Sequence, residues 1–518
     1  MTGLPLLTTL VVTPLIGAVV VAACGRASKG LARGLALGFS LLALAQAAWL
    51  WHRFDPAAAD LQFVERHAWI PTLGAEYFVA VDGVSLLMIL LSALLTPMSL
   101  LVAWRTEEKP SLYFSLVLFL EAGLLGTFTA LNFMHWFIFW ELSLVPAFFL
   151  IKVWGGPNRG PAATQFFIYT MVGSVAMLLS FLAMYQATSS FDFIRLAELG
   201  HSGELTSALS VKLGWYSLTS EQLGLVVFAG ALLGFAVKVP LFPFHTWLPA
   251  TYAEAPTGTT MLLTGAMSKM GVYGFLRILL PIFPEQMRAV LTPLLWLAVL
   301  TIVFSACAAF AQRDLKRMLA YSSINHLGYC LLGLFAAARF TANEAHWATE
   351  KAAVLNGVLL QMFNHGLTAA TLFCFVGFLE RRSGGLRGIG DFGGLRKAAP
   401  VFCGLMGIAT FASIGLPGLN GFAGEFLIFK GTFPLVTWAT ALATAGLLVT
   451  AVFLLTFLQR VFHGPLPEQW TGWRDLSRKE LAVVLPATAL MFALGVYPQF
   501  LVAMTNATVL QLVDQLNF

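Results

Sequence analysis

The chain has 518 residues, 58% of them hydrophobic and only 11% charged, with a net charge of +5. A soluble domain carries about 25% charged residues, so this composition excludes an ordinary soluble enzyme and describes a polytopic helical membrane protein. The basic residues are spread over short loops rather than gathered on one face, which excludes a nucleic-acid surface.

A membrane helix needs about 20 mostly apolar residues. On that rule the chain predicts about 14 spans, at 5–24, 33–52, 80–103, 111–130, 132–152, 164–187, 221–250, 258–280, 289–311, 316–338, 350–379, 399–429, 433–460 and 480–505. Val21-Ala-Ala-Cys24 faintly resembles a lipoprotein cleavage site but lacks a basic region before it, so it reads as the end of a first transmembrane helix. The longest connectors, 53–79 and 188–220, are polar. Cys24, Cys307, Cys330, Cys374 and Cys403 lie in or at the ends of apolar runs, with no zinc or iron–sulfur spacing. No cofactor and no metal are therefore expected in this chain. Gly384-Gly-Leu-Arg-Gly-Ile-Gly390 follows no strand and reads as a flexible loop rather than a phosphate cradle.

Lysine and arginine orient the spans. With the first residue outside, roughly 19 of them fall on cytoplasmic loops and about 8 outside. Both termini are then expected on the outer, periplasmic side of a bacterial inner membrane. Two spans are interrupted. The first breaks at Pro240, Pro243 and Pro249, and the second in Gly415-Leu-Pro-Gly-Leu-Asn-Gly421. They sit five spans apart, an odd number, so the second unit is inverted relative to the first. Inverted repeats with one discontinuous helix each are a transporter plan. The division expected is residues 1–110 for helices 1–3, 111–280 and 289–460 for the two five-helix repeats, and 480–518 for the last helix.

Seven ionisable residues lie inside spans: Glu121, Glu141, Lys238, Lys269, His326, His365 and Glu425. The two lysines each cost roughly 2.5–3.5 kcal/mol on insertion, and ionisable residues inside spans usually face a bundle interior or a water-filled cavity and mark an ion path. Glu141 stands in Phe137-Ile-Phe-Trp-Glu141 and is costly to ionise alone. A Glu141–Lys238 pair offsets that cost and is expected here, either as a switch that responds to arriving charge or as a static pair that fixes packing. Lys269 and Glu425 have no partner nearby in sequence. His326 and His365 can relay protons or sit as hydrogen-bonded core residues.

These stretches resemble the Mrp-antiporter-like membrane subunits of respiratory complex I, in particular those of the M type (subunit 4 in mitochondria). The resemblance rests on Trp69-Ile-Pro, Val81-Asp-Gly-Val-Ser85, Phe139-Trp-Glu141, Phe166-Phe-Ile-Tyr-Thr170, Lys238-Val-Pro-Leu-Phe-Pro-Phe-His-Thr-Trp-Leu-Pro249, Glu254-Ala-Pro-Thr257 and Lys269-Met-Gly-Val-Tyr-Gly274. In the second half it rests on Asp314-Leu-Lys-Arg317, Ala320-Tyr-Ser-Ser323, His326-Leu-Gly328, His365-Gly366, Gly415-Leu-Pro-Gly418 and Phe422-Ala-Gly-Glu-Phe426. It covers nearly the whole chain. It implies 14 helices with repeats of helices 4–8 and 9–13, and proton translocation along a hydrated central axis. Glu141, Lys238, Lys269, His326, His365 and Glu425 would carry the proton, with Glu425 as the terminal acid in place of the lysine usual in the L- and N-type subunits. Ala250 and Tyr252 stand where the family often has aspartate and histidine, Gln165 where lysine is common, and Asn325 where serine is.

The function implied is that of a proton-translocating membrane-arm subunit of an NADH:quinone oxidoreductase, assembled with L-like and N-like antiporter subunits in the bilayer, with electron transfer elsewhere in the complex. The alternatives are a cation/proton antiporter subunit, or the equivalent subunit of a membrane hydrogenase, a ferredoxin-driven complex or a carbon-uptake complex. A scaffold with an inactive channel is a further alternative, against which the retained central charges argue.

Overall fold

In the computed structural model, residues 5–24, 28–213, 218–339 and 344–516 are described. The first half runs α1 Leu6–Cys24, α2 Lys29–Arg53, β1 Gln62–Ile70, β2 Ala75–Val81, α3 Gly83–Val102, α4 Pro110–Thr129, α5 Phe133–Trp154, α6 Arg159–Thr188, α7 Phe193–His201, α8 Glu204–Leu213, α9 Ser220–Lys238 and α10 Trp247–Glu254. A run of α11 Thr257–Leu262, α12 Lys269–Gly274 and α13 Leu280–Ile282 follows, joined by two π-helical turns at Leu263–Met267 and Phe275–Leu279. The remainder is α14 Pro284–Ala289, α15 Leu291–Phe310, α16 Leu315–Ala337, α17 Glu344–Arg382, α18 Pro400–Ile414, α19 Asn420–Leu435, α20 Thr437–Phe462, α21 Arg478–Val496 and α22 Gln499–Leu516.

Eleven helices among the described residues are long and apolar enough to cross a membrane. The other expected spans fall short for visible reasons. The 258–280 run is divided by its π turns. The 399–429 run is two short helices, and α16 carries Ser322, Ser323, Asn325 and His326. Met1 and Phe518, on which the expected placement of the termini bears, lie outside the described residues.

Polar side chains set the helix starts. Asp82 accepts from the amides of Val84 and Ser85 to begin α3, and Thr219 and Ser477 form capping boxes with Gln222 and Glu480. The breaks have different chemistry. Pro240 and Pro243 supply no amide hydrogen and end the ladder after Lys238. Gly415 closes α18 in the left-handed region, at φ 83°. A Cβ there would also lie 2.6 Å from the carboxylate of Glu425, so one glycine both stops the helix and makes room for the acid.

Three features depart from the sequence reading. Connector 53–79 contains an antiparallel hairpin, β1 with β2. Glu65 accepts from the amide of Leu7 at 2.8 Å, and Arg66 bridges Glu76 at 2.5 Å and Asp192 at 2.8 Å. The hairpin thereby ties the start of α1 to the start of α7. The last apolar run stops at Val496, and Tyr497-Pro498 separates it from α22, because proline cannot continue the ladder.

The third is the glycine-rich loop, which is held rather than slack. Arg387 pairs with Asp314 at 3.1 Å and Glu254 at 3.3 Å, and donates to the carbonyl of Ala253 at 2.5 Å. Its own carbonyl accepts from the amide of Leu315. One guanidinium thus joins the end of α10 to the start of α16. Removing it leaves Glu254, which is 7% exposed, without its cation. Arg387→Ala is expected to destabilise the chain by about 3 kcal/mol, read as earlier melting of the detergent-purified complex and less assembled complex on a native gel. Arg387→Lys recovers only part of this, since an ammonium cannot fork between two carboxylates.

In the loop between α3 and α4, Glu107 is reached by Lys29 and Arg33 from the first turns of α2, at 2.6 and 2.8 Å. Lys29 above all holds the Glu107 carboxyl below its usual range. This exposed tie is therefore present above the usual carboxylate range and is lost on acidification through the lowered value.

Candidate functional site

The expected site residues occupy five helices and one helix end. Glu141 is on α5, Lys238 is the last residue of α9, Lys269 opens α12, His326 is on α16, His365 on α17 and Glu425 on α19. All but Glu141 are buried; Glu141 is partly buried.

The second half of this set is one connected line. Lys269 Nζ lies 2.7 Å from His365 Nδ1. The rings of His365 and His326 are 5.1 Å apart between centres. His326 Nδ1 then lies 3.1 Å from Glu425 Oε1. Gln361, one turn before His365, donates to Glu425 Oε1 at 3.3 Å and lies 3.4 Å from His326 Nδ1, so it braces the junction. Ser413, at the end of α18, meets the other ring nitrogen of His326 at 3.2 Å. Beside the second break, Asn364 donates to the carbonyl of Asn420 at 2.6 Å, which fastens α17 to the first turn of α19.

Lys269 is aimed by its backbone. In the π turn before it, the amide of Ser268 reaches the carbonyl of Leu263, five residues back, at 3.0 Å. The Lys269 ammonium donates to the carbonyl of Thr264 at 2.5 Å, also five residues back. Such wide turns gather at functional sites. Tyr252 supports this one, its hydroxyl donating to the carbonyl of Leu263 at 3.0 Å. Gly265 and Gly366 let the two helices close, since a Cβ on Gly366 would lie 2.6 Å from the carbonyl of Gly265. That approach brings Lys269 within reach of α17.

The first half is built differently. The expected Glu141–Lys238 pair is not a contact ion pair. Lys238 Nζ has no hydrogen-bond partner and sits 4.8 Å from the centre of the Trp140 ring. The Trp140 indole donates to Ser174 Oγ at 3.0 Å, and Glu141 faces that same hydroxyl. An aromatic ring and a hydroxyl therefore stand between acid and base. The ring's electron-rich face and the carbonyl end of α9 both favour the lysine's charge. The reason is positional: Trp140 and Glu141 are consecutive on α5, so they point about 100° apart, and the tryptophan takes the face toward α9.

Sequence reading missed Trp140, Ser174, Gln361 and Ser413. Gln361 carried a signal, a polar residue inside an apolar run one turn from His365. Among the described residues, no three His, Cys, Asp or Glu side chains converge as a metal site would require. What the arrangement can do is pass a proton: a lysine, two imidazoles and a carboxylate in succession, each able to hold or release one.

Comparison with known proteins gives the following. The model of the NADH:quinone oxidoreductase/Mrp antiporter transmembrane family matches residues 130–453. The NADH-quinone oxidoreductase subunit M of Rhodobacter capsulatus is 36% identical over 514 residues, covering 98% of this chain and 96% of its own. The F(420)H(2) dehydrogenase subunit M of Methanosarcina mazei is 35% identical over 503 residues, covering 96% and 95%. A chain of respiratory complex I from Thermus thermophilus with bound NADH superposes with a TM-score of 0.84 at 28% identity, covering 99% of this chain and all of that one.

Proposed function

The chain belongs to the NADH:quinone oxidoreductase/Mrp antiporter family, and from that membership we propose a route for the proton it carries. It is a proton-translocating membrane-arm subunit of a complex I, driven by electron transfer elsewhere in the assembly. The proton's path runs through Glu141, Lys238, Lys269, His365, His326 and Glu425. The observation that carries this reading is the pair of contacts Lys269–His365 at 2.7 Å and His326–Glu425 at 3.1 Å, set end to end with the two imidazole centres 5.1 Å apart.

The architecture that goes with this route has 14 membrane crossings, counting α9 with α10, the α11–α13 run, and α18 with α19 as one each. Residues 111–280 and 289–460 form the inverted repeats, and both termini lie on the outer side. Two broken helices, each beside a buried ionisable residue, support this plan.

Charge drives the steps. A proton moved against 100 mV takes roughly 2.3 kcal/mol. Two unit charges at about 4 Å in a protein-like medium interact by about 4 kcal/mol. In this reading a charge brought to Lys238, or removed from it, shifts the protonation of Lys269 and sends a proton along the histidines to Glu425. Lys238, lacking a tight partner, responds to a change on Glu141 without first breaking a salt bridge.

Extracting the membrane in mild detergent and staining a native gel for NADH oxidation tests the assembly. The chain is expected in a large NADH-oxidising band. Recovery only in smaller bands without that activity contradicts an NADH-driven complex. The comparable likeness to an F(420)H(2) dehydrogenase subunit favours, as second reading, the same proton route driven by another electron donor.

A further inference from the structure

Of the three glutamates read from the sequence as lying inside spans, Glu121 is the one that the proton line leaves unused. It is wholly buried on α4, and neither carboxylate oxygen has a hydrogen-bond partner. It faces the hydroxyl of Thr96, but that hydroxyl donates to the carbonyl of Ser92 at 3.0 Å. A carboxyl kept dry and unpaired is costly, so its retention asks for a use.

A cavity of about 410 Å³ lies further along α4, lined by Arg105, Tyr113, Thr257, Gly258, Glu380 and Arg381, with Tyr113 eight residues, about 12 Å of helix, before Glu121. Hydroxyls are spaced between the two. Tyr113 and Thr259 are 3.4 Å apart, and Ser99 donates to the carbonyl of Gly258 at 2.8 Å. Thr96 lies three residues from Ser99 on the same helix, a rise of about 4.5 Å, and Glu121 faces Thr96. The lower end meets the proton line by depth. Leu95, next to Thr96, packs on Gly265 of the π turn whose Thr264 carbonyl holds the Lys269 ammonium.

We propose that Glu121 is a proton-loading site, filled from the inner-face cavity through the Tyr113–Thr259–Ser99–Thr96 hydroxyls and discharging toward Lys269. The carboxylate takes one proton from inner-side water and becomes neutral. It gives that proton up when Lys269 is a neutral amine, restoring carboxylate and ammonium. This rests on the proton route proposed above and adds its inner-side branch.

The test uses the whole complex in proteoliposomes, with assembly checked on a native gel, comparing Glu121→Gln, Glu121→Asp and Lys269→Ala. Glu121→Gln keeps the shape and removes the proton site, so NADH-driven proton uptake is expected to fall about tenfold. Glu121→Asp is expected to recover much of it. Normal uptake in Glu121→Gln beside a dead Lys269→Ala overturns the branch and leaves the main line standing. Equal failure of the Gln and Asp variants in fully assembled complex assigns Glu121 to packing and also overturns it. Normal uptake in Lys269→Ala overturns the main line itself and the branch with it. Should Glu121→Gln fail to assemble, Thr96→Val and Ser99→Ala decide: slowed uptake supports the branch, and unchanged uptake overturns it.

Discussion

Lys238→Ala is expected to abolish proton translocation by the assembled complex, a loss well beyond about tenfold, or roughly 1.4 kcal/mol per decade in the barrier. The ammonium ends α9 at the break before α10 and lies 4.8 Å from the centre of the Trp140 ring. With no hydrogen bond and a neighbouring ring as its nearest support, it is held loosely enough to respond to charge on Glu141. Alanine removes the charge on which the proposed route depends. A further variant separates the possible roles. Arginine keeps a positive charge but does not give up its proton in a protein, so Lys238→Arg is expected to remain inactive if the lysine cycles between charged and neutral. The measurement is fluorescence quenching of a pH-sensitive dye in inverted vesicles, against NADH oxidation with an artificial acceptor as the control for assembly. Normal quenching in assembled Lys238→Ala complex would contradict the route. Restoration by arginine would reduce the lysine to a fixed charge.

Glu425→Gln is expected to slow translocation at least about tenfold. The acid ends the line: Oε1 lies 3.1 Å from His326 Nδ1 and accepts from Gln361 at 3.3 Å. Glutamine has the same shape and fits the space beside Gly415, so packing changes little. It cannot take a proton from His326, and the imidazole is left with no group to discharge into. Glu425→Asp retains the chemistry at a shorter reach and is expected to keep part of the activity. Adding His326→Ala to Glu425→Gln should cost little more than either alone, because both interrupt the same transfer. An additive loss in the double variant would mean that the two act on separate paths.

Much of this architecture is written in residue order. The apolar runs place the helices, Pro240, Pro243 and Gly415 place the breaks, and the intramembrane charges pick out the line. What residue order conceals is which neighbour a side chain turns to. Glu141 and Lys238 are natural partners by charge, yet Trp140 takes the facing position and keeps them apart. Arg387 sits among glycines that suggest slack, and besides nearby Glu380 its partners come from segments far away in sequence, Ala253 and Glu254 in one half and Asp314 in the other. The β1–β2 hairpin escapes notice because neither strand alternates polar with apolar residues: Glu65, Arg66 and His67 stand together in β1, and β2 is almost wholly apolar after Glu76. Tyr252, a departure from the family pattern, acquires a task only once the π turn it supports is seen.

Each π turn amounts to one inserted residue in an otherwise α-helical run, and one residue corresponds to about 100° around the axis. Lys269 follows the first insertion and precedes the second, while Arg277 lies within the second. The azimuth of the lysine is thus fixed by a count, not by its neighbours' identity. A substitution within Leu263–Met267 does not alter that count. Shortening the turn by a single residue would swing the ammonium about a quarter-circle off His365, which makes chain length in this one turn as much a determinant of the circuit as the lysine itself.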